Sequence, residues 1–252
     1  MRAVLITGAT GKFGHLLVAD RLFRGNTVIA VGRRKEALAV LSEVHAADVQ
    51  AKKLFTVDCD LTLADSAARV VERCRAAGVM PNYLINNARN LAFLQSGPDG
   101  AIVRENFIAE LTLDVVVPGE LTLAFANSPN AKLERVVNIG SQYGLVAPNR
   151  ALYVDHASQP PIQYGVAKAA LIHLTRELAV RLAPRVQVNC VSFGGVEGRA
   201  DVELQRRYAS LAPTGRMLRE DEIAGPVDFL LSDASSGMTG HNLVVDGGWT
   251  VW

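Results

Sequence analysis

Tyr164 and Lys168, four residues apart, are the pair in this 252-residue chain best suited to acid–base work. At that spacing the two side chains share one face of a helix. A buried ammonium beside a phenol favours the phenolate. Such a tyrosine can give or take a proton at a carbonyl or hydroxyl oxygen near neutral pH. Ser141 follows the apolar stretch Arg135–Ile139. A residue at the end of a strand there points toward a ligand crevice, where its hydroxyl can hold the same oxygen. Interconverting a hydroxyl and a carbonyl also requires a hydride carrier on the far side of the carbon.

A place for that carrier precedes them. The stretch Thr7-Gly8-Ala9-Thr10-Gly11-Lys12-Phe13-Gly14 follows the apolar run Ala3-Val4-Leu5-Ile6. A Gly-rich turn between a buried strand and a helix lets the backbone approach a dinucleotide pyrophosphate, with the helix's free N–H groups facing the anion. Gly8, Thr10, Gly11, Lys12, Phe13 and Gly14 form the candidate cradle. After the second strand the chain reads Val31-Gly32-Arg33-Arg34-Lys35. The acid that would hold an NAD ribose 2′-hydroxyl is missing, with Gly32 in its place. Three cations at a helix start oppose the helix dipole, and a nearby anion relieves that cost. Arg33 and Arg34 therefore predict NADP(H) in preference to NAD(H), Arg33 stacking on adenine or pairing with the 2′-phosphate. Asp60 either accepts from the adenine amino group or caps the helix that follows Thr62. Asn86-Asn87-Ala88 ends the fourth strand beside the expected ribose, unless Asn86 only ties neighbouring strands together.

The elements that must position these residues alternate regularly. Strands are expected near Ala3–Thr7, Thr27–Val31, Leu54–Val57, Tyr83–Asn86, Arg135–Ile139, Gln187–Val191 and Asn242–Val245. Helices are expected near Lys12–Arg24, Lys35–His45, Ala64–Ala76, Val103–Phe125, Ile162–Leu182 and Glu220–Leu231, with Pro184 stopping the fifth. Apolar strands without polar alternation belong to a sheet covered on both faces. The β-α-β order predicts a doubly wound α/β fold with parallel strands and right-handed crossovers, in one domain over residues 1–252. The stretch Gly195–Arg216, with Arg199, Arg206 and Arg207, reads as a helical lid over the substrate, or else as a surface insertion.

Composition excludes several classes. Net charge is +1, so nothing global calls for nucleic acid or an anionic membrane surface. No run approaches the ~20 apolar residues that span a bilayer. Cys59, Cys74 and Cys190 are scattered and odd in number, and the first strand starts next to Met1, which fits a reducing cytoplasm. The five histidines lack ligand spacing, so no metal is expected.

Taken together, Thr7-Gly8…Gly11…Gly14, Asn86-Asn87-Ala88, Asn138-Ile139-Gly140-Ser141, Tyr164…Lys168 and Val245-Asp246-Gly247-Gly248 resemble the short-chain dehydrogenase/reductase superfamily over essentially the whole chain. The resemblance implies a Rossmann fold with a seven-stranded parallel sheet. It implies NAD(P)-dependent oxidation or reduction of a hydroxyl/carbonyl pair in a small molecule, by a homotetramer or homodimer. By position, Tyr164 would be the acid/base and Ser141 would hold the substrate oxygen. Lys168 would bind the nicotinamide ribose beside Tyr164, with Leu61, Gly194 and Val196 also facing the coenzyme, Val196 at the carboxamide. The long stretch between Ser141 and Tyr164, with Gly215-Arg216-Met217, is similar to reductases of bacterial flagellin modification and nonulosonate (legionaminic acid-type) sugar pathways, which suggests a sugar-like substrate.

Four positions depart from the superfamily's pattern. Lys12 replaces a glycine, Arg89 replaces the glycine after Asn-Asn-Ala, and Phe193 replaces a proline. Val116 stands where an asparagine would hold a proton-relaying water, which valine cannot do. Arg89 can pair with a substrate phosphate or carboxylate, or is an exposed surface residue. Arg150 and His156 are candidates for the same pocket, with exposed loop positions as the alternative. Epimerisation or dehydration with an internally recycled coenzyme, and an impaired NADPH-binding scaffold or sensor, are the competing functions. The tail ends on Trp249 and Trp252, which predicts burial at a subunit interface or on the chain itself.

Overall fold

The computed structural model describes residues 2–154, 159–198 and 200–252, excluding the side chain of Asp99. Seven strands form one sheet: β1 Ala3–Thr7, β2 Thr27–Gly32, β3 Leu54–Asp58, β4 Tyr83–Asn86, β5 Arg135–Ser141, β6 Gln187–Phe193 and β7 Asn242–Val245. Their order is β3-β2-β1-β4-β5-β6-β7, and every pairing is parallel. The order reverses between β1 and β4, so a crevice opens at the carboxyl ends of those strands.

Alternation along each strand sorts the core into two layers. Leu5 of β1 packs with Leu121, Phe125, Leu178 and Leu182 on one face. Its neighbours Val4 and Ile6 pack with Leu17, Val18, Leu41 and Val227 on the other. The first layer comes from α4 Ser66–Ala76, α6 Val117–Ala126 and α7 Ile162–Leu182. The second comes from α1 Lys12–Phe23, α2 Lys35–Val44 and α9 Ala224–Leu231. The remaining helices are α3 Ala46–Gln50, α5 Arg104–Leu111 and α8 Val202–Leu211. The three cysteines are buried and unpaired. Among the described residues no helix is long and apolar enough to cross a membrane.

Three helices differ from expectation. The span Val103–Phe125 is not continuous: α5 and α6 are separated by a π turn, Thr112–Val116. In an unbroken α-helix the residue at 118 would donate its N–H to the carbonyl of Asp114. Pro118 has no N–H and its ring crowds that carbonyl, so the chain takes a wider turn. The helix expected from Ala64 begins at Ser66, with Asp65 before it. The one expected from Glu220 is a 3-10 turn, Glu220–Glu222, followed by α9. The lid stretch contains α8, capped by Asp201, whose carboxylate accepts from Leu204 N–H at 2.8 Å.

Candidate functional site

A cleft of about 840 Å3 lies along the carboxyl ends of the strands and collects most of the residues singled out above. Gly8, Thr10, Gly11, Lys12 and Phe13 form one wall. Gly8 turns with φ +63°, and a Cβ there would lie 2.7 Å from the Ala88 Cα. Side chains are thus excluded where β1 meets the end of β4. Asn87 secures the junction: its Nδ2 donates to the Thr7 and Gly8 carbonyls at 3.0 and 3.2 Å. The Asn87 and Ala88 amides donate to Thr7 Oγ1 at 2.9 and 3.0 Å. The first turn of α1 has no side-chain cap, since Gly11 precedes it. Its free N–H groups beside the cleft fit a pyrophosphate.

Two members of the candidate cradle do something else. Gly14 does not line the cleft; a Cβ on it would meet the Gly8 carbonyl oxygen at 2.2 Å, so it lets α1 pack against its own turn. Lys12 lines the cleft, but its ammonium is bound within the chain, donating to the Glu197 carbonyl and lying 3.0 Å from Glu220 Oε1. It joins the turn before α1 to the chain at Glu197 and Glu220.

At the other end of that wall, Arg33, Arg34, Asp60 and Leu61 line the cleft. Asp60 Oδ1 accepts from the Thr62 amide at 3.0 Å and the Thr62 hydroxyl at 2.7 Å. Burial raises its pKa, but those hydrogen bonds and the charge of Arg33 outweigh it and hold the carboxyl below its usual value. Asp60 therefore turns the loop after β3 and is not the helix cap, a place taken by Asp65.

Ser141, Tyr164 and Lys168 all line the cleft. Ser141 is the last residue of β5, is buried, and accepts from the Tyr143 amide at 3.2 Å. Tyr164 packs edge-on against Tyr143, with the Arg89 guanidinium 4.5 Å from the centre of its ring. Lys168 is buried, donates to the Ile139 carbonyl at 2.9 Å, and lies 2.9 Å from Asp114 Oδ2. Burial alone would lower the lysine pKa, but Asp114 and Tyr164 raise it above its usual value. A lysine whose charged form is favoured can stabilise negative charge as it forms on the Tyr164 phenol.

Asp114 was not foreseen in this place. The side chain against Lys168 comes from position 114, whereas Val116 is 48% exposed. The π turn adds a residue between α5 and α6 and so changes which position faces inward. The group beside the lysine is thus a carboxylate, and the exposed Val116 has no part in it.

The substrate end of the cleft is walled by Leu152, Tyr153, Gln159, Leu204, Tyr208 and Met217. Tyr208 donates to Gln142 Oε1 and accepts from the Gly195 amide, both at 2.9 Å. Burial pushes its pKa up to about 12, so it stays protonated and keeps donating. Gly194, Val196 and Phe193 complete the wall, Phe193 meeting Phe13 edge-on. Trp249 stacks on Tyr208 at 4.3 Å between ring centres and is 5% exposed, so it packs on its own chain; Trp252 is exposed. Arg150 does not line the cleft. It sits exposed on a short turn capped by Asn149, and Leu152 is the residue of that turn directed inward. His156 and Arg199 lie outside the described residues. Arg207 ties α8 to the turn at Leu152 by donating to the Leu152 carbonyl at 2.8 Å.

Comparison with known proteins agrees with this geometry. Residues 18–250 match a family model described as enoyl-(acyl carrier protein) reductase. The chain is 41% identical to a sorbose reductase of Schizosaccharomyces pombe, covering 98% of this chain and 95% of that one. It is 36% identical to a post-translational flagellin modification protein A of Campylobacter coli, covering 98% of each. An uncharacterized short-chain type dehydrogenase/reductase of Sinorhizobium fredii is 31% identical over 98% of this chain, which spans only 43% of that longer protein. Among solved structures, a short-chain dehydrogenase of Leptospira borgpetersenii with bound NAD+ superimposes with a TM-score of 0.83 at 26% identity, covering 99% of this chain and 92% of that one.

Proposed function

The chain belongs to the short-chain dehydrogenase/reductase superfamily of oxidoreductases, and on that premise we propose that it is an NADP(H)-dependent enzyme interconverting a hydroxyl and a carbonyl on a polar, sugar-like small molecule. The observation that carries the reading is the meeting of Tyr164, Lys168 and Ser141 with the uncapped start of α1 in one cleft. A nicotinamide coenzyme, when bound, supplies or accepts the hydride. The α1 turn would hold its pyrophosphate, Arg33 and Arg34 its 2′-phosphate, Asp60 and Leu61 its adenine end, and Lys168, Gly194 and Val196 its nicotinamide end. Ser141 holds the substrate oxygen. Tyr164 gives that oxygen its proton in reduction and takes it in oxidation. Lys168, kept charged by Asp114, stabilises the phenolate left behind.

Coenzyme preference is measurable without a substrate. A charge-assisted hydrogen bond contributes about 1.5–3 kcal/mol, so calorimetric titration at low salt is expected to show NADPH bound at least ~10-fold more tightly than NADH. Arg33→Ala with Arg34→Ala is expected to abolish the difference. Equal affinity for the two coenzymes in the wild type would remove the NADP(H) assignment.

Arg89 supports an anionic group on the substrate. It lies over the Tyr164 ring at the cleft and makes no ion pair among the described residues. Its guanidinium is free to grip a carboxylate or phosphate near the reacting carbon. With an aldonate as substrate, Arg89→Met is expected to raise KM at least ~10-fold with little change in kcat, whereas a neutral alditol loses nothing. Equal losses on both would assign Arg89 to support of Tyr164 instead. We also expect a homotetramer or homodimer in the cytoplasm. Apolar Ile108, Val116, Leu123 and Val166 stay exposed on α5, the π turn, α6 and α7, which supports the assembly.

A further inference from the structure

The substrate end of the cleft carries a pair of phenols for which the proton transfer above has no use. Tyr143 and Tyr153 both line the cleft, with their hydroxyl oxygens 2.5 Å apart. Tyr143 lies in the 3-10 turn Gln142–Gly144 directly after Ser141, and Tyr153 closes the turn Arg150–Leu152. The first of these turns rests on α7: a Cβ on Gly144 would lie 2.8 Å from the Lys168 carbonyl carbon. Tyr143 is thereby held beside Tyr164, edge-on at 6.4 Å between ring centres. Burial raises the pKa of each phenol of the pair, and the nearness of Tyr164 adds to the rise. Both hydroxyls therefore stay protonated near neutral pH.

The pair holds two O–H protons and uses one of them between its own oxygens. Whichever phenol donates, the other O–H has no acceptor among the described residues. The support behind the pair is built from donors. Gly195 N–H donates to the Tyr208 hydroxyl, and Tyr208 donates to Gln142 Oε1, both at 2.9 Å. Gln142, whose oxygen takes that proton, acts on Tyr143 as a donor and lowers its pKa against the effect of burial. Hydrogen bonds aligned in this way polarise one another, and the series ends on a phenol O–H at the cleft. Leu152, Leu204 and Met217 wall the same end with side chains that offer no acceptor. When a ligand displaces water there, the O–H finds its acceptor on the ligand or loses its hydrogen bond.

We propose that the Tyr143–Tyr153 pair determines specificity: its spare O–H donates to an oxygen on the carbon next to the reacting one, and so selects α-hydroxy ketones and vicinal diols over ketones and alcohols that lack this oxygen. Tyr143 stands two residues beyond Ser141 and packs on Tyr164, so a substrate whose reacting oxygen lies at those two groups brings its neighbouring carbon to the pair. No bond to carbon or hydrogen is broken at the pair, which acts by binding alone. The inference rests on the oxidoreductase reading for the identity of the reacting carbon and narrows the sugar-like class to one required oxygen.

Hydroxyacetone and butanone test this, since they share a skeleton and differ by an O–H in place of a methyl group. Apolar burial alone favours butanone, so the proposal predicts against that sign. Calorimetric titration of the wild type loaded with NADP+, which cannot reduce a ketone, is expected to show hydroxyacetone bound at least ~10-fold more tightly than butanone. In the double variant Tyr143→Phe with Tyr153→Phe the difference is expected to vanish. Equal affinities, tighter binding of butanone, or no binding of hydroxyacetone in the wild type overturns the proposal, whether or not the double variant folds. A preference that survives in the double variant overturns it as well, by assigning the selection to another group. The titration needs no turnover, so the oxidoreductase reading stands or falls separately, on the loss of turnover in Tyr164→Phe.

Discussion

Replacing Tyr164 by Phe is expected to lower turnover roughly 10²- to 10⁴-fold, the usual contribution of a positioned acid–base group. The phenyl ring keeps the edge contact with Tyr143 and the stacking surface under Arg89, so the cleft retains its shape. Affinity for NADPH is therefore expected to stay within about twofold of the wild type, because only a proton donor has been removed. Calorimetry reads the affinity, and a coupled absorbance assay on a panel of sugar alcohols and ketoses reads the rate. Undiminished turnover would refute the proton role. Lost binding would show that the ring itself shapes the coenzyme site.

The second large effect is on stability. Lys168→Met is expected to cost about 3–5 kcal/mol, because it strips the counter-ion from a buried carboxylate. Asp114 is 2% exposed, so bulk solvent does not reach the carboxylate to take the ammonium's place. Adding Asp114→Asn to that variant is expected to restore most of the loss, since the uncompensated charge goes too. Asp114→Asn alone leaves a buried ammonium and is itself destabilising. Urea unfolding of the four proteins forms a double-mutant cycle whose coupling energy measures the pair. Additive losses would mean that Lys168 and Asp114 do not depend on each other, and the charge on the lysine would need another source.

Much of this could be read from residue order. The apolar runs place β1 and β4 to the residue, since strands buried on both faces are written as unbroken apolar stretches between turn residues. The Gly-rich turn, Ser141, Tyr164 and Lys168 were legible because each rests on local spacing. Asp114 was not. Counting along a regular helix assumes 3.6 residues per turn, and the π turn at Thr112–Val116 breaks that assumption. Pro118 was the available signal. The burial of Glu110 on α5, 0% exposed, was hidden for a related reason, since burial of an acid is set by elements that meet it from elsewhere in the chain. The joining of Gln142, Gly195, Tyr208 and Trp249 was equally invisible, because those residues are far apart in sequence and meet only when α8 folds down. Arg150 and Leu152 show the same limit on a smaller scale. Composition names both as loop residues, and only the Asn149 cap decides which one turns inward.

The Tyr208–Trp249 stack gives the substrate wall an optical voice. The chain has two tryptophans, one sealed into that wall and the other, Trp252, 78% exposed. A soluble quencher such as acrylamide reaches the exposed indole and spares the sealed one, so the two emissions separate without labelling. What remains after quenching reports on Tyr208, on the Gly195 amide that binds it, and on the seating of α8. Ligands that fill this end of the cleft thereby announce themselves in the ultraviolet before any chemistry has been assigned to them.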